Sequence, residues 1–179
     1  PVMHVNEFVR GKGRFFITQY VPSEEKVTRR FPLLLTTGRV LSQYNVGAQT
    51  RRTANVRFYD EDRLEIHPHD AEERGIRDGD WVRLASRAGE TTLRALITDR
   101  VAPGVVYTTF HHPDTQANVV TTDFSDWATN CPEYKVTAVD VVSVRSCISG
   151  EEHVATIVAD RNVLGHVVAG RQQQWLAAF

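Results

Sequence analysis

A mostly-β domain, a small barrel decorated with short helices, is what the sequence predicts. Three observations carry it. Apolar and polar residues alternate with period two over most of residues 63–142, strand-length runs follow one another at close spacing with turn residues between them, and only one stretch has the start and stop signals of a helix. Strands alternating with long helices, the mark of a parallel open sheet, are missing from the pattern.

Taken in order, residues 1–30 mix apolar and basic side chains and end in the polar run Pro22-Ser23-Glu24-Glu25-Lys26, which reads as an arm and linker without a core of its own. Phe31-Pro32-Leu33-Leu34-Leu35 is a short continuous apolar run, the form of a buried strand, and Thr36-Thr37-Gly38-Arg39 ends it. Leu64 and Ile66 alternate with Arg63, Glu65 and His67. The segment from His67 to Gly75 then has Pro near its start, acidic residues in its body and Gly at its end, which predicts one short helix. Val82 and Leu84, then Leu93, Ala95 and Ile97, form two more strands joined by a hairpin turn at Arg87-Ala88-Gly89-Glu90. Val105 to Phe110 and Val136 to Val142 complete the β set, and Val154 to Ala159 is a further candidate strand. From about Ser143 the composition changes, so residues 144–179 are read as a divergent tail to which no role is attached.

Composition bounds the function. With 179 residues, 41% of them hydrophobic, a core can form without disulfides. The 21 Lys+Arg balance 22 Asp+Glu, so there is no overall basic field for a nucleic-acid backbone, although a local anion pocket is permitted. Two cysteines, Cys131 and Cys147, have neither the spacing of a metal site nor the density of a secreted framework, which points to a reducing, cytoplasmic setting. No apolar run is long enough for a membrane span, and there is no leader pattern. The chain begins at Pro1 rather than Met, as a piece of something longer would.

Four segments hold residues suited to chemistry. At Thr36-Thr37-Gly38-Arg39, hydroxyls, a permissive Gly and a planar guanidinium follow a buried strand; this is either an anion-binding loop or a plain turn. Gln43-Tyr44 with Thr50-Arg51-Arg52 offers amide, phenol and guanidinium groups that either read a heterocycle edge or form a solvated loop. His111-His112, followed by Asn118 and Thr121-Thr122, ends a strand. Neighbouring strand residues face opposite ways, so one shared metal ion is disfavoured, and a ligand hydrogen bond or a satisfied strand-end histidine remains. Pro132-Glu133-Tyr134-Lys135 either holds a ring or phosphate or is a surface turn. Asp60-Glu61-Asp62 and Glu72-Glu73 read as solvated faces, and Cys131 lacks a nearby base for nucleophilic work.

The ordered set Phe31 to Arg39, Gln43-Tyr44, Arg51-Arg52, Leu64 to Ala71, Gly75 to Asp80, Gly104 to Tyr107, His111-His112 and Pro132 to Lys135 resembles the C-terminal molybdopterin-dinucleotide-binding domain of the dimethyl sulfoxide reductase family, nearest the catalytic alpha subunits of NAD-dependent molybdenum formate dehydrogenases. The resemblance implies a six-stranded double-psi β-barrel over residues 31–143. It also implies that Thr36, Thr37, Gly38, Arg39, Gln43, Tyr44, His111, His112, Asn118, Tyr134 and Lys135 meet a bis(molybdopterin guanine dinucleotide) molybdenum cofactor. The whole enzyme would oxidise formate to carbon dioxide and send electrons through iron–sulfur clusters and a flavin (FAD or FMN) to NAD, in the remaining domains and in partner subunits. The Cys-rich cluster motifs and the metal-ligand segment are not in this sequence, so this chain would supply cofactor binding and not the metal's own ligands, and alone is not expected to be active. The alternative reading is a stand-alone β-barrel that binds a ligand or partner without redox activity.

Overall fold

The structure is a computed structural model that describes residues 4–144. Strands β1 (Leu33–Gly38), β2 (Arg63–Ile66), β3 (Trp81–Ala85), β4 (Glu90–Ile97), β5 (Val105–Thr109) and β6 (Thr137–Ser143) close into a barrel in the order β1-β5-β2-β4-β3-β6. The expected mostly-β architecture and its six strands are present. Period two explains the interior. Leu33 and Leu35, Leu64 and Ile66, Val82 and Leu84, Leu93 and Ala95, Val106, Val139 and Val141 point inward and are nearly inaccessible. Closing the sheet removes its edges, and the inward side chains fill the interior as a packed core. Leu34 is only half-buried, so β1 alternates where the apolar run read as buried throughout.

Register determines which loops meet. The pairs β1–β5 and β2–β4 are parallel, and β1–β6, β2–β5, β3–β4 and β3–β6 are antiparallel. Strands β1, β3 and β5 therefore run one way and β2, β4 and β6 the other. The connections 39–62, 86–89 and 110–136 all emerge at the end where β1 exits. The connections 67–80 and 98–104 lie at the opposite end. There, α1 (Pro68–Glu73) starts with Pro68 after a His67 side chain that accepts from the His69 N–H at 3.1 Å, and stops at Gly75 with φ of +62°. Asp70 accepts the Gly104 N–H at 2.7 Å and ties the two connections of that end together.

The linker reading of residues 22–26 needs correction. Most of the arm is exposed, yet the Glu25 side chain is fully buried, where it accepts the Ala138 N–H at 3.0 Å and an Arg87 hydrogen bond. Pairing of β3 with β6 stops at Ala85 and Asp140, so Ala138 has no ladder partner on that side, and Glu25 supplies one. The candidate strand at Val154–Ala159, Cys147 and the tail from residue 145 lie outside the described residues. No helix among the described residues is long and apolar enough to cross a membrane.

Candidate functional site

Every residue singled out for chemistry falls at the β1 exit end. Gly38 pairs with Thr109, so β1 and β5 finish level and release their loops side by side. Gly38 is required by a close approach, since a Cβ there would lie 2.5 Å from the Tyr107 ring. The Tyr107 hydroxyl donates to the Arg39 carbonyl at 3.2 Å, and burial pushes its pKa up, so the phenol stays a donor. Thr37 donates to the Tyr134 carbonyl at 2.8 Å while the Lys135 ammonium donates to the Thr37 carbonyl. The ends of β1 and the segment before β6 are thereby pinned together, with Tyr134 and Lys135 still exposed.

His111 organises the loop after β1 from behind. It is wholly buried; its Nε2 accepts the Val40 N–H at 3.1 Å and its Nδ1 hydrogen bonds to the Asn45 carbonyl. A nitrogen that accepts from an amide is unprotonated, so Nδ1 is the donor and the ring is neutral. Gln43 is buried too, its amide donating to the Tyr59 carbonyl at 3.1 Å and accepting from Thr50 Oγ1 at 2.6 Å. Both side chains spend their polar atoms inside the protein. Exposed above them stand Arg39 and Tyr44, with the Arg39 guanidinium 5.1 Å from the Phe110 ring and 3.3 Å from Asn45 Oδ1. Thr36 is half-buried, and Asn118 is exposed on a 3-10 turn (Ala117–Val119) beside the β3–β4 hairpin, where Val119 packs on Gly89.

Sequence reading missed Asp62. The run Asp60-Glu61-Asp62 read as a solvated face, which holds for Asp60 but not for Asp62, whose side chain is 0% exposed. It accepts from the Thr109 hydroxyl, from the His111 N–H at 3.2 Å and from the His112 N–H at 2.9 Å, and lies 3.0 Å from His112 Nδ1. The histidines follow the end of β5 rather than lying in it, and this turn aims both backbone amides at one carboxylate. Position three of a charged triplet immediately before a strand carries no signal that distinguishes it from its neighbours. Tyr59 closes the group, its hydroxyl 3.1 Å from Thr109 Oγ1 and its pKa raised by burial.

Among the described residues, the buried side-chain atoms without partners include His112 Nε2, Arg51 Nε and Thr122 Oγ1, all in loops of this end. Such atoms are uncommon in folded proteins, and Glu25 Oε2, Arg74 Nε and Thr137 Oγ1 share this state outside these loops. With Arg39, Arg52, Lys135 and the phenols of Tyr44 and Tyr134, the end presents cations and hydrogen-bond donors beside these unpartnered polar atoms.

The tip of the 110–136 connection is held by Asp126. The Thr129 hydroxyl, with the backbone N–H groups of Thr129, Cys131 and Ala128, lowers its carboxyl from 3.8 to about 2. A depressed folded pKa contributes stability above the unfolded value and loses it as pH falls through the folded one. The turn 126–131 is therefore expected to persist at pH 4 and loosen as pH approaches about 2. Carboxyl NMR titration checks this; a midpoint for Asp126 near 3.8 contradicts it.

Residues 33–138 match the family described as the molydopterin dinucleotide binding domain. The chain is 35% identical over 147 residues to F420-dependent formate dehydrogenase 1 subunit alpha of Methanococcus maripaludis, covering 80% of this chain and 22% of that protein. It is 37% identical over 143 residues to F420-dependent formate dehydrogenase subunit alpha of Methanocaldococcus jannaschii, covering 78% and 21%. The chain thus spans about a fifth of the length of the curated relatives it matches. Acetylene hydratase from Pelobacter acetylenicus shares the fold, with a TM-score of 0.57 at 15% identity over 63% of this chain and 18% of that one.

Proposed function

Because the chain belongs to the molybdopterin dinucleotide binding domain family, we propose that it is the cofactor-holding barrel, residues 31–143, of a formate dehydrogenase catalytic subunit. The observation that carries this reading is the gathering of Arg39, Lys135, the exposed tyrosines and the orphaned atoms of His112, Arg51 and Thr122 at one end of a barrel whose relatives are formate dehydrogenase alpha subunits. A guanine dinucleotide of molybdopterin joins fused heterocycles through phosphates, and this donor set suits both parts. Arg39 and Lys135 bind phosphate oxygens as charged donors. Thr36, Thr37 and Gly38, paired with β5, form the end of β1 that sets where Arg39 leaves the barrel, while Tyr44, Tyr134, Asn118 and His112 flank the rings. Gln43 and His111 act one step back, holding the 39–47 loop in the shape that presents Arg39 and Tyr44.

When bound, the molybdenum cofactor supplies the redox centre at which formate is oxidised to carbon dioxide. The residues of this chain bind and orient it and screen its anionic linkage from water. Other domains of the subunit provide the remaining contacts, and iron–sulfur and flavin groups elsewhere in the complex carry electrons away. The sequence resemblance implies NAD as the final acceptor, whereas the relatives are named F420-dependent. Formate-driven reduction of one coenzyme and not the other by the complete complex decides between them.

Arg39→Ala and Lys135→Ala in the complete subunit are each expected to weaken cofactor retention about tenfold to hundredfold, the equivalent of one charge-assisted hydrogen bond of about 1.5–3 kcal/mol. Molybdenum and guanine nucleotide released on acid denaturation report the loading. Undiminished retention in both variants overturns the assignment.

A further inference from the structure

Residues 14–21 belong to no strand or helix, although their sequence is that of a strand. Phe15-Phe16-Ile17-Thr18-Gln19-Tyr20-Val21 is a run of β-branched and aromatic side chains broken only by Gln19. No backbone N–H or carbonyl from 14 to 21 has a hydrogen bond among the described residues. The side chains of Phe15, Phe16, Ile17, Tyr20 and Val21 stand 78% to 103% exposed. In a strand, Phe15, Ile17 and Val21 would share one face and Phe16 and Tyr20 the other, so a sheet that took up the segment would bury it on both sides. Upstream, Phe8, Phe15 and Phe16 bound a hollow of about 950 Å³ that Arg10, Lys12 and Arg14 also line. Those three cations have no ion pair among the described residues.

Topology selects the partner. A contiguous apolar surface with a free row of backbone donors and acceptors is a template for pairing with another strand. The six strands of the barrel close on one another and leave no edge, so neither this barrel nor that of a second copy offers a ladder to the segment. The chain spans about a fifth of its curated relatives, so most of such a protein lies outside it. Just after the segment the arm is fastened to the barrel, by Ser23 to Glu133 at 2.5 Å and by Glu25 to Ala138 at 3.0 Å, at the end that presents Arg39 and Lys135. The unpaired Arg10, Lys12 and Arg14 call for carboxylates around the place where the segment docks.

We propose that residues 14–21 are a docking strand that adds to the edge of a sheet in the part of the catalytic subunit outside this chain, between apolar layers and beside acidic side chains. Backbone hydrogen bonds supply the attachment, and the alternating side chains of the two faces supply its register. The proposal rests on the formate dehydrogenase reading above. It gives the barrel an attachment independent of the cofactor, and the Ser23 and Glu25 contacts carry that attachment to the end where the cofactor is held.

Hydrogen exchange of the complete subunit, read amide by amide and compared with the 179-residue chain alone, is the test. Every second amide between 15 and 21 is expected to exchange at least about a hundredfold more slowly in the subunit than in the isolated chain. Free exchange of the segment in the subunit overturns the proposal. So does protection already present in the isolated chain, and if that protection grows with concentration the occupant is a second copy. Ile17→Pro and Thr18→Pro remove neighbouring amides, one facing the ladder and one facing away from it. One of the two is expected to lower the protection at least about tenfold while the other keeps it; equal loss in both, or loss in neither, overturns edge addition. Both positions are exposed, and an unchanged Ala138 amide reports that the barrel and its fastening to the arm are intact. Arg14→Glu is expected to lower the protection about threefold by like-charge repulsion, and an unchanged or raised value contradicts the acidic surround. A freely exchanging segment in a subunit that keeps its guanine nucleotide removes this inference alone, whereas absence of the nucleotide from the wild-type subunit removes the cofactor reading.

Discussion

His111→Ala is expected to destabilise the barrel by about 3 kcal/mol and to release the 39–47 loop. The ring is 0% exposed and serves as donor and acceptor between Val40 and Asn45. Truncation removes buried volume and leaves two backbone groups short of partners, each costing about 1 kcal/mol or more. Gly47 adds to the effect, since its φ of +68° and its closeness to the His111 carbonyl show how tightly the loop is folded over this residue. Urea denaturation measures the loss, and hydrogen exchange at the Val40 amide locates it. His111→Phe separates the two contributions because it keeps most of the volume and removes the hydrogen bonds. If Ala costs less than about 0.5 kcal/mol, or if Val40 exchange is unchanged, His111 does not organise the loop.

Glu25→Ala is the second large effect, about 2 kcal/mol. Breaking a wholly buried ion pair costs about 3–5 kcal/mol. Here the Arg87 side chain is 42% exposed and finds water, which lowers the figure, and Glu25 Oε2 has no partner, so removing it recovers some desolvation. What remains is the orphaned Ala138 N–H and the loss of the tie from the arm to the hairpin. Ser23, two residues earlier, donates to Glu133 at 2.5 Å, beside the Tyr134-Lys135 segment that grips Thr37. The variant is therefore expected to raise exchange at Ala138 as well as to lower the denaturation midpoint. Comparison with Glu25→Gln isolates the charge, and an unchanged midpoint in both variants contradicts a latch at this position.

The strands were legible because their information is local. Val82 and Leu84 alternate with Trp81 and Arg83 whatever they pair with, and a Pro followed by acidic residues and a Gly marks α1 without reference to its neighbours. The candidate site was legible in part: Arg39, Tyr44, Tyr134 and Lys135 are exposed at one end of the barrel as a ligand site requires. Gln43 and His111 carry polar groups suited to a ligand, yet those groups are used internally, because hydrogen-bonding capacity in a sequence does not state its direction. Asp62 and Glu25 carry no local signal for the complementary reason. A charged residue in a charged run is usually solvated, and only a fold that closes over it makes it a buried acceptor.

By itself, then, the sequence determined the class of the fold, the order of its strands along the chain and the chemical types available to a site, since periodicity and turn chemistry are properties of near neighbours. Tertiary structure decided which end of the barrel collects the loops, which polar atoms are spent on holding them and which are left for a ligand. Those depend on strand register and on contacts such as Glu25 with Ala138 or Asp62 with His112, 113 and 50 residues apart in the chain, where no local pattern reaches.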